Sequence, residues 1–165
     1  MSNFNLNYCA KVCPGHTQSV HEVYITEETP DGIFMVSACQ DRTAMLRDGR
    51  TGDWIGTFSG HSGAVWSAHL DVVATRAATG SADFTARFWD ATTGCELHQW
   101  SHPHVVKSVK IGGHKLLTGG YEKCLRLIDL AAPNAEHDVF SKTDDVIKTT
   151  AWTKDSKLKK QNNKK

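Results

Sequence analysis

The sequence predicts an all-β fold made of repeated four-stranded antiparallel sheets. Three observations support this prediction. Two sets of marker residues recur at a spacing of roughly forty residues, short β-favouring segments alternate with turn residues, and no segment keeps the apolar period of about 3.6 residues that is typical of a helix. A repeat of about forty residues has the size of one supersecondary unit that packs against its neighbours.

The first set of markers closes each unit with an aspartate. Asp48, Asp90 and Asp129 lie 42 and then 39 residues apart. They end three segments that begin with Ser or Thr and carry an acidic residue, Asp or Glu, at the fifth place. The segments are Ser37–Asp48, Thr79–Asp90 and Thr118–Asp129.

The second set of markers opens each unit with a histidine. His16, His61 and His102 lie 45 and then 41 residues apart. Each is followed after four places by a valine and after nine places by an aliphatic residue. These pairs are Val20 and Ile25, Val65 and Leu70, and Val106 and Ile111. Two independent sets of markers with one period establish the repeat.

Each unit is predicted to hold four short strands. The middle unit shows this best, with strands at Ala64–Leu70, Ala74–Thr79, Thr85–Trp89 and Cys95–Trp100. The first unit ends with a strand at Asp53–Phe58 and the third with a weaker one at His137–Phe140. Four antiparallel strands in each unit, with Gly-His and Trp-Asp markers, are typical of one blade of a β-propeller.

The chain is therefore predicted to be an incomplete propeller of three blades plus the beginning of a fourth. An N-terminal segment at 1–13, which includes a ring-closing strand near Tyr8–Cys13, precedes the repeats. The repeats span 14–58, 59–100 and 101–140, and a fourth begins at 141–153. The last twelve residues, 154–165, carry six Lys and one acid, and we expect this Lys-rich tail to be disordered.

Composition excludes several classes of protein. The 165 residues carry a formal net charge of +1, and no apolar run approaches the ~18 residues of a membrane helix. The five cysteines are odd in number and mostly scattered, which argues against a disulfide framework and for a reducing compartment.

The recurring polar residues are predicted to form a structural hydrogen-bond network. In the middle unit an imidazole, a hydroxyl, a carboxylate and an indole N–H can join in one chain of donors and acceptors. A Ser/Thr–His–Asp hydrolase triad is the sharper alternative, but a catalytic constellation is normally used once and this one recurs with the repeat. No catalytic residue is therefore predicted. The network residues are His61, Thr79, Asp83 and Trp89, then His16, Ser37 and Asp41, and then His102 and Thr118.

Metal and cofactor sites are not predicted. Cys9 and Cys13, and the group around Cys95 and His98, lack paired Cys-x-x-Cys spacing. Residues three apart in a strand, such as Cys95 and His98, also point to opposite faces. The sequence contains neither a phosphate-binding loop nor a dinucleotide fingerprint.

The Gly-His and Trp-Asp markers make the sequence resemble the WD-repeat family of β-propellers across roughly residues 14–152. Further segments are similar to the branch of serine-threonine kinase receptor-associated (Unr-interacting) proteins. These include Met45-Leu-Arg47, where Arg47 stands in place of the usual Trp, and Asp53-Trp-Ile-Gly56. Subunit i of translation initiation factor three is the alternative, since Gly60–Trp66 and Thr79–Asp83 suit it too.

The resemblance implies a non-catalytic adaptor in the cytoplasm and nucleus. It implies membership of the survival-of-motor-neuron complex, which assembles spliceosomal ribonucleoproteins, and negative regulation of transforming-growth-factor-β receptor signalling. The partners implied are survival-of-motor-neuron (SMN) complex subunits, Unr, receptor kinases and Smad proteins. RNA is expected to associate only indirectly, because residues 1–153 carry a net charge of −4. No membrane insertion is expected.

Family geometry also implies where partners bind. The residues three and five places after the marker His are expected to line the narrow mouth of the ring. By position these are Ser19 and His21, Ala64 and Trp66, Val105 and Lys107, and Val146 and Lys148. Trp66 is the predicted hot spot, with His21, Lys107 and Lys148 as polar neighbours; the alternative is that Trp66 packs between blades.

Overall fold

The computed structural model describes residues 11–135, 137–142, 144–152 and 158–160. Every regular element among them is a β-strand, which confirms the all-β prediction. No described helix is long and apolar enough to cross a membrane. The described residues include Cys13, Cys39, Cys95 and Cys124, all as free thiols.

Three four-stranded antiparallel sheets follow one another along the chain, and we call them blades 1 to 3. In each blade the strands pair in sequence order. Blade 1 contains β1 (Val20–Ile25), β2 (Phe34–Cys39), β3 (Ala44–Asp48) and β4 (Trp54–Phe58). Blade 2 contains β5 (Val65–Leu70), β6 (Arg76–Ser81), β7 (Thr85–Asp90) and β8 (Glu96–Ser101). Blade 3 contains β9 (Val106–Gly112), β10 (Lys115–Gly120), β11 (Cys124–Asp129) and β12 (Asp138–Lys142).

Two further strands follow blade 3. β13 (Thr150–Trp152) pairs with β14 (Leu158–Lys160) in an antiparallel ladder. The sequence places 158–160 in a disordered tail, and the structure corrects this at these three residues. The other residues of the predicted ends, 1–10, 154–157 and 161–165, lie outside the described part. Residues 11–13 of the predicted ring-closing strand are described and form no strand.

The second strand of blade 2 begins later than predicted. The sequence suggests Ala74–Thr79, whereas β6 begins at Arg76. Ala74 has a φ of 57°, in the left-handed region that ends an extended segment. The Asp71 carboxylate accepts hydrogen bonds from the backbone N–H groups of Thr75 (2.8 Å) and Arg76 (3.1 Å). The aspartate therefore closes a turn where β-propensity alone predicts a strand.

Apolar residues on the facing sheets form the core between consecutive blades. Val36, Ala38, Ala44 and Leu46 of blade 1 pack with Val65, Ala68 and Leu70 of blade 2. The same positions recur one blade further, where Ala78, Ala86 and Trp100 pack with Val106, Val109 and Ile111. Leu117 and Leu125 of blade 3 then pack with Ile147, which precedes β13. Burial of this surface at about 25 cal/mol per Å² is what joins the blades.

The matching positions of β1 are exposed. Val20, Val23 and Ile25 are 47%, 52% and 54% exposed, whereas Val65 and Val106, the counterparts of Val20, are 0% and 1% exposed. Blades 2 and 3 cover this face with the preceding blade. In blade 1 the same apolar strip faces solvent.

A polar contact that the sequence did not reveal joins the innermost strands. The residue six places after each marker His accepts a hydrogen bond from a backbone N–H of the next blade. The Ala68 N–H donates to Glu22 (3.1 Å), the Val109 N–H to Ser67 (3.0 Å) and the Thr150 N–H to Ser108 (3.0 Å). The device recurs with the repeat and sets how adjacent innermost strands are aligned.

Candidate functional site

Blade 2 contains the complete four-residue network. The Nδ1 of His61 lies 2.8 Å from the Asp83 carboxylate, and its Nε2 lies 2.7 Å from the Thr79 hydroxyl. The indole N–H of Trp89 donates to the same hydroxyl at 2.9 Å. One assignment satisfies all four groups: the indole donates to Thr79, Thr79 to Nε2, and Nδ1–H to Asp83. This series of hydrogen bonds joins the loop before β5 to strands β6 and β7.

The Asp83 carboxylate is held in its ionised form. Burial opposes ionisation, but hydrogen bonds from His61, Thr85 and the Ser62 backbone outweigh it and lower the pKa of Asp83 well below its usual range. The hydroxyl and backbone N–H of Thr85 donate to Asp83 at 2.6 and 3.0 Å. Asp41 in blade 1 shows the same direction of pKa shift, since bonds from Thr43 and His16 outweigh its burial.

The glycine before His16 and the one before His61 are favoured by their backbone conformation, and little space is left for a side chain. Gly15 and Gly60 have φ values of 135° and 158°, which L-residues with a side chain rarely adopt. A Cβ at Gly60 would lie 2.6 Å from the Arg87 guanidinium and 3.3 Å from the Trp89 ring. The Gly-His marker therefore reflects a close approach of the loop to the third strand of the blade.

In blade 1 the hydrogen bonds of the histidine are kept, but an arginine replaces the tryptophan. His16 lies 2.9 Å from Asp41 and 2.8 Å from Ser37. Arg47 stands where Trp89 stands in blade 2, is 2% exposed, and donates to the backbone carbonyls of Gly52 (3.1 Å) and Pro14. The guanidinium thus replaces the indole by anchoring the N-terminal segment through backbone carbonyls.

In blade 3 the two residues that the sequence assigns to the network, His102 and Thr118, do not bond to each other. Both side chains are buried, but the His102 Nε2 and the Thr118 hydroxyl have no hydrogen-bond partner among the described residues. Glu122 replaces the aspartate and is held by Arg126 at 2.7 and 2.8 Å, while its contact with the His102 Nδ1 is a longer 3.3 Å. The extra methylene of Glu122 and this pull towards Arg126 account for the weaker contact with the imidazole.

Glu122 is nonetheless ionised. Its burial opposes ionisation, but the hydrogen bonds from His102 and Arg126 lower its pKa to about 2.

One trio of side chains resembles a metal site. Possible ligand atoms of His16, Cys39 and Asp41 all lie within 4.8 Å of one another. Cys39 occupies the position of Ser81 in blade 2 and has the same contacts. Its Sγ bonds the Gln18 carbonyl and the Asp41 N–H, as the Ser81 Oγ bonds the Gly63 carbonyl and the Asp83 N–H. The two nitrogens of His16 already bond to Asp41 and Ser37. The trio therefore repeats the hydrogen-bonded arrangement of blade 2.

The predicted mouth residues come together in one pocket. His21 of β1, Trp66 of β5, Lys107 of β9 and Lys148 before β13 line a pocket of about 410 Å³. Four successive repeats thus contribute the residue at one shared position to the pocket. Val146 and Tyr121 complete the lining, and Tyr121 was not identified from the sequence.

Ser19, Ala64 and Val105, two places before these residues, do not line the pocket. Their carbonyls accept backbone hydrogen bonds from Gln40 (2.9 Å), Ala82 (2.8 Å) and Tyr121 (3.0 Å). This repeated bond fixes the turn after the second strand of each blade. It also carries Tyr121 to the mouth, where the corresponding residues of blades 1 and 2 are Gln40 and Ala82.

The Trp66 side chain lies between His21 of blade 1 and Lys107 of blade 3. Its ring stacks on His21 with 4.0 Å between centroids, and the Lys107 Nζ lies 2.8 Å from the Trp66 ring centroid. Trp66 is therefore half-buried between side chains of adjacent blades and also lines the pocket. Burial lowers the pKa of Lys107, and burial together with the Lys107 charge lowers the pKa of His21.

Comparisons with known proteins agree with this architecture. Residues 7–48 and 52–90 match the family model described as WD domain, G-beta repeat. The serine-threonine kinase receptor-associated protein of Gallus gallus is 52% identical over 147 residues, which cover 88% of this chain and 42% of that protein. Its counterpart in Dictyostelium discoideum is 42% identical over 144 residues, 86% of this chain and 49% of that protein.

A second group of relatives is more distant. Subunit I of eukaryotic translation initiation factor 3 from Pyricularia oryzae is 36% identical over 105 residues, 62% of this chain and 30% of that protein. The chain spans less than half the length of each of these relatives.

Solved structures show the same fold. U3-55K has a TM-score of 0.75 at 19% identity, and the RRP9 WD40 repeats have a TM-score of 0.74 at 19% identity. Each match covers 85% of this chain and 44% of the solved chain.

Proposed function

The chain is a WD-repeat protein, and we propose on that premise that it is a non-catalytic scaffold that holds partner proteins at the mouth. The observation that carries the proposal is the convergence of His21, Trp66, Lys107 and Lys148 from four repeats on one pocket. A large aromatic side chain beside charged neighbours is a frequent hot spot of protein interfaces.

The burial of the His–Thr–Asp group supports a structural role and argues against a hydrolase. The Thr79 hydroxyl would be the nucleophile of such an enzyme, yet Thr79 is 0% exposed and bonded to both His61 and Trp89. A nucleophile needs space about 3 Å away for the reacting atom of a substrate. The same group also recurs in blade 1, as expected of an architectural device.

Similarity supports a more specific role for the scaffold. The name of the 52% identical chicken relative describes association with serine-threonine kinase receptors. The resemblance described above extends the proposal to two adaptor roles, in the SMN complex and in negative regulation of transforming-growth-factor-β receptor signalling, with action in the cytoplasm and nucleus. A subunit of translation initiation factor 3 is the second candidate, supported by the 36% identical fungal relative.

Alanine at Trp66 is expected to reduce partner capture at least about tenfold, because truncation of a hot-spot aromatic costs ~2 kcal/mol or more. The measurement is co-precipitation of the tagged chain with SMN-complex subunits, receptor kinases, Smad proteins and initiation-factor subunits, each followed by immunoblot. Trp54→Ala is the matched control, since Trp54 is 61% exposed and lies in β4.

Equal capture of every partner by the Trp66→Ala and Trp54→Ala variants would contradict the proposed function. Capture of initiation-factor subunits alone would favour the second candidate. Circular dichroism of both variants checks that the fold is retained.

A further inference from the structure

The lining of the mouth is basic. Lys107, Lys148 and His21 face the pocket, and no carboxylate is among the described lining residues. Lys107 is half-buried, so its charge is less hydrated than that of a surface lysine. A partly desolvated ammonium group attracts an anion more strongly than an exposed one, because the effective dielectric around it is lower.

Two residues of the pocket lining also carry polar atoms without partners. The Trp66 Nε1 and the His21 Nε2 are buried and have no hydrogen-bond partner among the described residues. An indole nitrogen can only donate, so its partner must be an acceptor. A buried donor without an acceptor destabilises the structure, and a bound acceptor would remove that penalty.

The opposite end of the innermost strands is different. A second pocket of about 510 Å³ is lined there by Glu27, Glu28, Tyr24, His69 and Lys110 among others. The Lys110 ammonium is 2.7 Å from Glu22, so its charge is compensated. The two ends of the strands thus differ in charge, and only the Trp66 end is basic without a lining carboxylate.

A line of aromatic side chains leads away from the mouth. Tyr121, in the pocket lining, stacks on His104 with 5.2 Å between centroids and an interplanar angle of 15°. His104 in turn lies 5.5 Å from Phe84. Phe84 and Tyr121 are 44% and 43% exposed, so the line is open to a ligand.

Building on the proposed function, we propose that the mouth recognises an acidic segment of a partner protein. One carboxylate enters the pocket, receives the Trp66 indole N–H and lies between the ammonium groups of Lys107 and Lys148. The chain of the partner then runs over Tyr121, His104 and Phe84, which contact its apolar groups. Charge complementarity selects the acidic residue, and the unpaired indole N–H fixes its position.

The test uses fluorescence anisotropy of the full chain with three labelled probes. They are an oligo-glutamate peptide, an oligo-glutamine peptide of equal length and an oligouridylate. We expect oligo-glutamate to bind at least about tenfold more tightly than oligo-glutamine, which corresponds to ~1.4 kcal/mol. The preference should weaken with added salt, since charges on the rim are screened.

Three variants assign the effect to the mouth. Lys148→Gln changes an exposed side chain, and Trp66→Phe keeps an aromatic ring but removes the N–H; each should lower the preference for oligo-glutamate several-fold. Lys107→Gln should lower it most, because Lys107 is the less exposed of the two lysines. Lys115→Gln is the control for net charge, since Lys115 is exposed at the start of β10 and is not in the pocket lining.

Equal binding of the two peptides, or an equal loss with Lys115→Gln, would overturn the inference. Oligouridylate binding as tight as oligo-glutamate, and equally sensitive to Trp66→Phe, would also overturn it in favour of a nucleic-acid ligand. If partner capture still depends on Trp66 while the peptides bind equally, the inference fails and the proposed function stands.

Discussion

Alanine at Trp89 is expected to lower the free energy of unfolding by about 3–5 kcal/mol, the usual cost of removing a fully buried aromatic side chain. Trp89 is 1% exposed and packs 5.6 Å, centroid to centroid, from Phe58 of the preceding blade. The substitution leaves a cavity between blades 1 and 2. It also removes the indole N–H that donates a hydrogen bond to the Thr79 hydroxyl.

The same substitution at Trp54 is the control. Trp54 is 61% exposed, so its replacement should change the stability by less than about 0.5 kcal/mol beyond the loss of its hydrogen bond to Thr57. Urea unfolding followed by circular dichroism gives both values. Equal losses at Trp89 and Trp54 would show that the buried indole does not hold the blades together.

Acidification from pH 6.5 towards pH 4.5 is expected to destabilise the fold through His69. The imidazole is buried, its Nδ1 accepts the Ile111 N–H at 3.2 Å, and the Lys110 charge and the Tyr24 ring are its neighbours. Burial, with the Lys110 charge, lowers its pKa from 6.5 to about 3. Between these two pH values His69 is protonated in the unfolded chain but neutral in the folded chain. The free energy of unfolding therefore falls as the pH falls through this range.

The expected slope from this one group is at most about 1.4 kcal/mol for each pH unit. His69→Asn should flatten the dependence, because the asparagine oxygen can still accept the Ile111 N–H but does not titrate. His114→Asn, at an exposed turn position, should leave the slope unchanged. The window ends near pH 4.5 because Asp41, Asp83 and Glu122, whose pKa values are all lowered, add their own losses at lower pH. Identical slopes in the two variants would contradict the assignment to His69.

The repeat made the main features of this chain accessible from its sequence. His61, Thr79, Asp83 and Trp89 recur as markers because their side chains must meet, so their spacing carries the geometry. The mouth residues came from the geometry that the resemblance to WD-repeat proteins implies, applied at one place in each repeat.

Other features were out of reach because no repeated residue type marks them. Glu22, Ser67 and Ser108 have one role in three blades, but only their shared position six places after the marker His signals it. Tyr121 reaches the mouth through a backbone bond that any residue could make. The altered contact of His102 depends on the extra methylene of Glu122 and on its bonds to Arg126, which spacing alone does not reveal.

Urea unfolding of the His61→Ala variant tests most directly whether the recurring histidine is structural. We expect a loss of about 1–3 kcal/mol, because the buried Thr79 hydroxyl and the Asp83 carboxylate each lose a hydrogen-bond partner. His114→Ala, at an exposed position, should unfold as the parent chain does. If the His61→Ala variant also unfolds at the same urea concentration as the parent chain, the histidine does not stabilise the blade, and a structural role for the network is contradicted.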